Sequence, residues 1–309
     1  MDALSKIFTA PRIRDAKFTR LEASAPWGIV SPGEPVVKFV HVVSGSAVLT
    51  TPDQAAPTRL EAGDVFILLA DAAYRIFDDE RSVLIDCVDV ERARVGNGIK
   101  FGGGGATTTF ISGSFEMEPL GRNYVCDVLP PFLHLTKGAG RTEGFATILN
   151  MLALETSVSG LGADAAVIRL FELLFIHALR AYVGDDRHQK RGWLAAASDS
   201  RLKSALEAIH EDPGKDWTIG SLARMAGMSR SAFAARFKDV LGQTPLEYMT
   251  SWRVYCASTL LLTSQAPISE IAHKAGYSSD AAFNKVFKRV TGQTPGMFKR
   301  VNEPASRAE

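Results

Sequence analysis

The last third of this chain is written twice. Residues 231–245, SAFAARFKDVLGQTP, and residues 281–295, AAFNKVFKRVTGQTP, agree at 9 of 15 positions with an offset of 50. Just upstream, residues 217–229 (WTIGSLARMAGMS) and 266–278 (APISEIAHKAGYS) agree at 5 of 13 positions with an offset of 49. The second copy therefore carries one extra residue near Ser279. Average residue frequencies would produce only about two such matches. Whatever the first copy folds into, the second must fold into as well.

Each copy has the grammar of a helix-turn-helix. Ile219, Leu222, Ala223 and Ala226 recur at helical spacing and are followed by Gly227, whose freedom in φ suits a tight turn. Ser229 is placed to cap a second helix, in which Phe233, Phe237 and Val240 fall on one face. The equivalents in the second copy are Ile268, Ile271, Ala272, Ala275, Gly276, Ser278, Phe283, Phe287 and Val290. Between the copies, Thr244-Pro245-Leu246-Glu247 supplies an N-cap, a proline at N1 and a capping-box glutamate for a linker helix running to about Ser264. Leu202, Ala205, Leu206 and Ile209 predict one more amphipathic helix, stopped by Asp212-Pro213-Gly214.

The rest of the chain has a different texture. From Trp27 to Val90, short apolar runs (Val36–Val43, Ala47–Thr50, Val65–Leu69, Ser82–Val88) alternate with turn signals, as in an all-β sandwich or barrel. Thr107–Phe115 reads as one more strand after the connection Gly102–Gly105. Beyond Pro130-Pro131 the period becomes helical, with Phe145, Ile148, Leu149 and Leu152 on one face. A second helix over 164–183 is apolar around most of its circumference, which predicts burial against both its own β domain and a second subunit. Residues 185–198 read as a polar linker, so the expected domains are 1–184 and 199–301, followed by a flexible tail at 302–309.

Composition sharpens this division. With 35 Lys and Arg against 34 Asp and Glu the net charge is +1, which by itself speaks against a nucleic-acid binder. Counted by region, residues 1–198 carry −3, residues 199–301 carry +5 and the tail carries −1. A basic helical domain is joined to a mildly acidic β domain. The three cysteines, Cys87, Cys126 and Cys256, form no CxxC pair and no disulfide framework. No signal peptide or membrane span is legible, so a cytoplasmic protein is expected.

The segment Gly276-Tyr-Ser-Ser…Phe283…Phe287-Lys288…Gly292-Gln-Thr-Pro295 resembles the signature of the AraC/XylS family of transcription regulators. The stretch from Trp27-Gly28 through His41…Gly45 and Leu60-Glu-Ala-Gly-Asp64 to Leu129-Pro-Pro-Phe-Leu-His134 resembles the cupin-type sensor domain of one branch of that family. The implied fold is a two-domain α+β chain. A cupin-like β-barrel with two C-terminal helices precedes an all-α domain of two helix-turn-helix units joined by a linker helix. The implied function is a sequence-specific regulator, an activator by resemblance. A small-molecule effector in the cupin-like domain would control it, and promoter double-stranded DNA, RNA polymerase and a second copy of the chain would be its partners.

The resemblance places each second helix in a DNA major groove, and recognition helices about 34 Å apart match one duplex turn. Arg230, Ser231, Ala234, Ala235 and Lys238 are then exposed on the first, and Asp280, Ala281, Asn284, Lys285 and Lys288 on the second. Asn284 could read adenine and Lys285 guanine, while Arg236, Lys238, Lys288 and Arg289 suit phosphates. The alanine methyls of the first helix could contact thymine, or that helix could contribute shape and phosphate contacts.

Two other functions compete with this one. A metal-dependent cupin enzyme needs three or four convergent donors. The second cupin motif laid on Gly63 puts Leu69, Asp71, Tyr74 and Asp78 at its Pro, Gly, His and Asn positions, so the metal histidine is a tyrosine. His41 stands alone and Lys38 occupies the expected glutamate position, leaving one donor. No enzyme, catalytic residue, metal or cofactor is therefore expected, and His41 reads as a pocket or core histidine. Trp27, Phe39, His41, Phe66 and Tyr74 are the candidates for an effector cavity, with plain core packing the competing reading at each. A thiol sensor acting through Cys87 and Cys126 is the alternative on the same scaffold, against buried, inert cysteine.

Overall fold

The computed structural model describes residues 13–52, 54–69, 71–117, 129–137, 143–157, 160–184 and 192–302, and the chain divides into two units. Among the described residues, the first unit is built on eleven strands. They are β1 (Ile13–Ser24), β2 (Gly28–Ser31), β3 (Val37–Ser44), β4 (Ser46–Thr50), β5 (Thr58–Glu61), β6 (Val65–Leu68), β7 (Tyr74–Phe77), β8 (Ile85–Asp86), β9 (Gly98–Gly102), β10 (Thr107–Met117) and β11 (Phe132–Leu135). A large sheet has the order β11-β6-β3-β10-β1-β9 and a smaller one the order β5-β4-β7-β2-β8. Their shared core holds Trp27, Ile29, Val42, Leu49, Phe66 and Phe110.

Side chains on the other face of the large sheet are also apolar, and helices cover them. The described residues of this unit form the helices α1 (Cys87–Glu91), α2 (Glu143–Glu155) and α3 (Ala163–Gly184). Phe171 and Phe175 of α3 pack on Phe39 of β3 at 6.2 and 5.4 Å between ring centroids, and Phe175 also meets Phe115 of β10 at 5.7 Å. Such contacts seat an apolar helix on a sheet buried on both faces.

Part of this unit departs from the sequence expectation. The run Ser82–Val88 contributes only the two-residue strand β8 and then turns into α1, because Asp86 caps that helix by accepting from the Val88 N–H at 2.8 Å. Cys87 therefore opens a helix instead of lying in a strand. β1 and β9 were not legible as strands, since β1 (IRDAKFTRLEAS) mixes charge with few apolar residues.

The second unit is helical: α4 (Gly192–Ser198), α5 (Lys203–Glu211), α6 (Ile219–Met225), α7 (Arg230–Leu241), α8 (Pro245–Thr263), α9 (Ile268–Lys274), α10 (Asp280–Thr291) and α11 (Pro295–Asn302). Residues 192–198, expected as linker, form α4 and bury Trp193, Leu194 and Ala196 against α5 and α7. The expected capping box starts α8: Thr244 N–H donates to Glu247 Oε2 at 2.8 Å, and Glu247 N–H donates to Thr244 Oγ1 at 3.3 Å. The repeated Gln-Thr-Pro also begins α11, with Met297 N–H donating to Thr294 Oγ1 at 3.4 Å but no glutamate to complete a capping box, and Phe298 packs on Phe287 at 5.4 Å. Among the described residues no helix is long and apolar enough to cross a membrane.

Candidate nucleic-acid interface and effector cavity

The two repeats fold alike. Gly227 and Gly276 take left-handed φ values of 63° and 82° between the helices of each pair. The rings of Phe233 and Phe237 meet inside at a tilt with centroids 5.5 Å apart, and those of Phe283 and Phe287 do so at 5.4 Å. Leu241, one residue beyond the expected Val240, completes the first buried face; Val240 and Val290 are only half-buried. Ser229 caps α7 as expected. In the second copy the cap is Ser279, not Ser278, so the extra residue lengthens the turn and leaves the helix intact.

Opposite the phenylalanines, Arg230, Ser231, Ala235, Arg236 and Lys238 of α7 are exposed and Ala234 is half-buried. On α10, Asp280, Ala281, Lys285, Lys288 and Arg289 are exposed. Asn284 is half-buried and its Nδ2 donates to the Asp280 carbonyl at 2.8 Å. Reading adenine with both amide atoms would require it to give up that bond. Arg236 is ion-paired with Asp199. On α8, which separates the copies, Arg253 donates to the Pro213 and Lys215 carbonyls at 2.7 and 2.8 Å and lies over the Tyr277 ring. One arginine thus touches the loop before the first repeat and the turn within the second.

The β unit contains a cavity of about 510 Å³ between its sheets. Phe66, Tyr74 and Cys87 line it. Trp27 instead lies in the core, edge-on to Phe110 at 5.6 Å. Phe39 and His41 fall on the opposite side of β3. Phe39 meets α3, and His41 Nδ1 lies 3.2 Å from the Asp64 carbonyl. Lys38 and Val40, which alternate with them along β3, face the cavity instead, and Lys38 brings its ammonium there. Its ammonium donates to Glu34 at 2.9 Å and to the Tyr74 hydroxyl at 3.3 Å. Burial alone would lower its pKa, but Tyr74 and Glu34 outweigh burial and hold it above the usual lysine range.

The second cupin motif survives as backbone. Asp71, at the glycine position, has a φ of 66°, the conformation a glycine would take freely. Asp78, at the asparagine position, accepts from Trp27 N–H at 2.8 Å and from the Ser82 hydroxyl at 2.7 Å. Tyr74 replaces the metal histidine, and the described residues include no group of three or more His, Cys, Asp or Glu able to hold a metal ion.

A cupin family model matches residues 2–184, and a helix-turn-helix domain model matches residues 222–300. An AraC-like transcription regulator of Streptomyces antibioticus is 32% identical over 97% of this chain and 99% of its own length. The chain belongs to the AraC-like transcription regulators. The HTH-type transcriptional regulator AlkR of Acinetobacter baylyi is 31% identical over 97% of this chain and 99% of its own. Among solved structures, the DNA-binding domain of AdpA in complex with a target DNA is 29% identical, covering 33% of this chain and 93% of its own with a TM-score of 0.32.

This AraC-like regulator is therefore a DNA-binding transcription regulator with a cupin-type ligand-binding domain. The thiol-sensor alternative is not supported: Cys87 is half-buried, Cys126 lies outside the described residues, and Cys256 belongs to α8 of the helical unit. The cavity residues of β1 and β10 were not legible in the sequence. The signal was present in the alternation Lys17, Thr19, Leu21 and Phe110, Ser112, Ser114, but nothing local said which face looked inward.

Proposed function

We propose that this AraC-like regulator is a one-component, ligand-responsive switch without enzymatic activity, working in the cytoplasm. Residues 1–184 bind a small-molecule effector and pair with a second copy; residues 199–301, with α4, bind promoter DNA through α7 and α10. The observation that carries the reading is the cavity of about 510 Å³, in the size range of small-molecule sites, inside a domain attached to duplicated helix-turn-helix units. Exposed Met151 and Leu154 on α2 and Leu173 on α3 support self-association there. Lys285 and Asn284 read bases, and Lys238, Lys288 and Arg289 hold phosphates, with Arg230, Ser231, Ala234, Ala235, Asp280 and Ala281 on the same faces. Effector binding changes transcription because its affinity differs between two states of the regulator. Activation through RNA polymerase is the expected output.

The test is a mobility-shift titration of the full chain against the DNA upstream of its own gene and against random DNA, repeated across salt. Specific binding that weakens with ionic strength supports the reading. Equal binding to both DNAs overturns it.

A further inference from the structure

The cavity face of the large sheet changes chemistry row by row. Leu21 of β1, Phe110 of β10 and Val42 of β3 stand opposite one another in one row; Thr19, Ser112 and Val40 form the next; Lys17, Ser114 and Lys38 form the third. Directly opposed residues on neighbouring strands share a face, and all of these except Val42 line the cavity. At about 6.8 Å per row, an apolar end and a cationic end lie about 14 Å apart.

The cationic end has spare hydrogen-bonding capacity. The Lys38 ammonium has three donors, of which Glu34 and Tyr74 take two. Tyr74 accepts from Lys38 and so keeps its own hydroxyl hydrogen for a further acceptor. The hydroxyls of Ser112 and Ser114 bond to no protein atom among the described residues, and Lys17 forms no ion pair there. Both arginines at the rim are engaged, Arg94 with Glu91 and Arg92 with Asp89. Lys38 is the inner member of its pair, with 20% of its side chain exposed against 45% for Glu34. Glu116 stands one row further out on β10 and is exposed.

We infer that the effector is an organic monoanion, with a carboxylate held by Lys38, Tyr74 and Ser114, assisted by Lys17, and an apolar body running along the strands toward Phe110. This rests on the cavity being the effector site. An amine would have to face two ammonium groups, and a neutral apolar molecule would strip water from Lys38 without replacing it. A carboxylate supplies two acceptor oxygens where one N–H and one O–H donor stand side by side.

The experiment is calorimetric titration of the full chain with three molecules of one size: phenylbutyrate, phenylbutyramide and phenylbutylamine. Phenylbutyrate should bind, with the amide roughly tenfold weaker and the amine weaker still. Lys38→Met should weaken phenylbutyrate roughly tenfold and leave the amide nearly unchanged. Lys17→Met, at an exposed position where folding is not at risk, should weaken it several-fold in the same selective way. Amide binding as tight as phenylbutyrate, no binding by any of the three, or lysine variants that bind phenylbutyrate like the parent chain would each overturn the monoanion assignment. Val40→Trp fills the cavity and should abolish binding. Unchanged phenylbutyrate affinity in that variant would overturn the cavity itself as the effector site.

Discussion

Arg236 of the first recognition helix donates from Nε and Nη2 to one oxygen of Asp199, at 3.0 and 2.6 Å. The other carboxylate oxygen accepts the backbone N–H groups of Arg201 and Leu202 at 2.9 and 3.0 Å. Asp199 follows α4 and precedes α5, so this carboxylate ties α7 to the chain that leads into the repeats. An arginine whose donors are taken by a protein carboxylate has less to offer a phosphate, and Lys238 is the freer cation on that helix.

Lys238→Ala should accordingly flatten the slope of log affinity against log salt by about 0.9, whereas Arg236→Ala should leave the slope nearly unchanged. Filter binding across salt concentrations measures both. Asp199→Ala should cost about 1–2 kcal/mol of stability, mostly through the two uncapped N–H groups, since the ion pair is partly solvated. Burial raises the Asp199 pKa, but Arg236 and the two backbone donors more than offset this and hold it below the usual carboxylate range. Its contribution is therefore present above an unfolded value of about 3.9 and is lost as pH falls through the folded pKa. Asp199→Asn should remove that acid limb from a stability–pH profile.

On the second recognition helix, Lys285 and Lys288 should separate by role. Lys285→Ala should relax selection at one base pair, losing about 1–3 kcal/mol for the preferred sequence and little for others. Lys288→Ala should weaken binding to all sequences about equally. A randomised-site selection reads both, and identical profiles for the two variants would count against this division.

Gly113 of β10 leaves room for the Phe171 ring of α3. A Cβ on Gly113 would sit against three ring carbons at distances no real Cβ adopts. Gly113→Ala should cost about 1–3 kcal/mol in urea unfolding of the full chain, as overpacking does. Adding Phe171→Leu should return part of that loss, because the two changes act on one contact.

Asp64 secures β11 to the turn before β6. It accepts from the Glu61 N–H at 3.1 Å, the Lys137 N–H at 2.9 Å and His134 Nε2 at 3.1 Å, and it is buried. Burial pushes its pKa up, yet the Lys137 and Glu61 amides and His134 pull it lower than an ordinary aspartate. Asp64→Ala leaves buried donors unpaired and should cost about 2–4 kcal/mol by thermal unfolding. By the same sign as for Asp199, the stabilisation holds above about pH 3.9 and fades as pH drops through the folded pKa.

The DNA-binding half was legible because its determinants are local. The Thr244–Glu247 capping box, Gly227 and Gly276, and the phenylalanine pairs at i and i+4 each act over one turn of chain, and the repeat stated them twice. Even the one misplaced cap is local, since Ser278 and Ser279 have the same chemistry and only the turn geometry chooses between them. The sensor half was legible in class and not in orientation. β3 is apolar on both faces, so period-two alternation could not say whether Phe39 and His41 or Lys38 and Val40 look into the cavity. Packing of Phe171 and Phe175 on Phe39 decides it, from residues far along the chain. The row Lys17, Ser114, Lys38 exists only through strand pairing, and Arg236 was engaged by an aspartate outside its own motif. Sequence by itself determined what acts within a few residues: helices, caps, turns and the duplicated motif. Tertiary structure decided which faces meet, because long-range packing and register carry no signature in either partner alone.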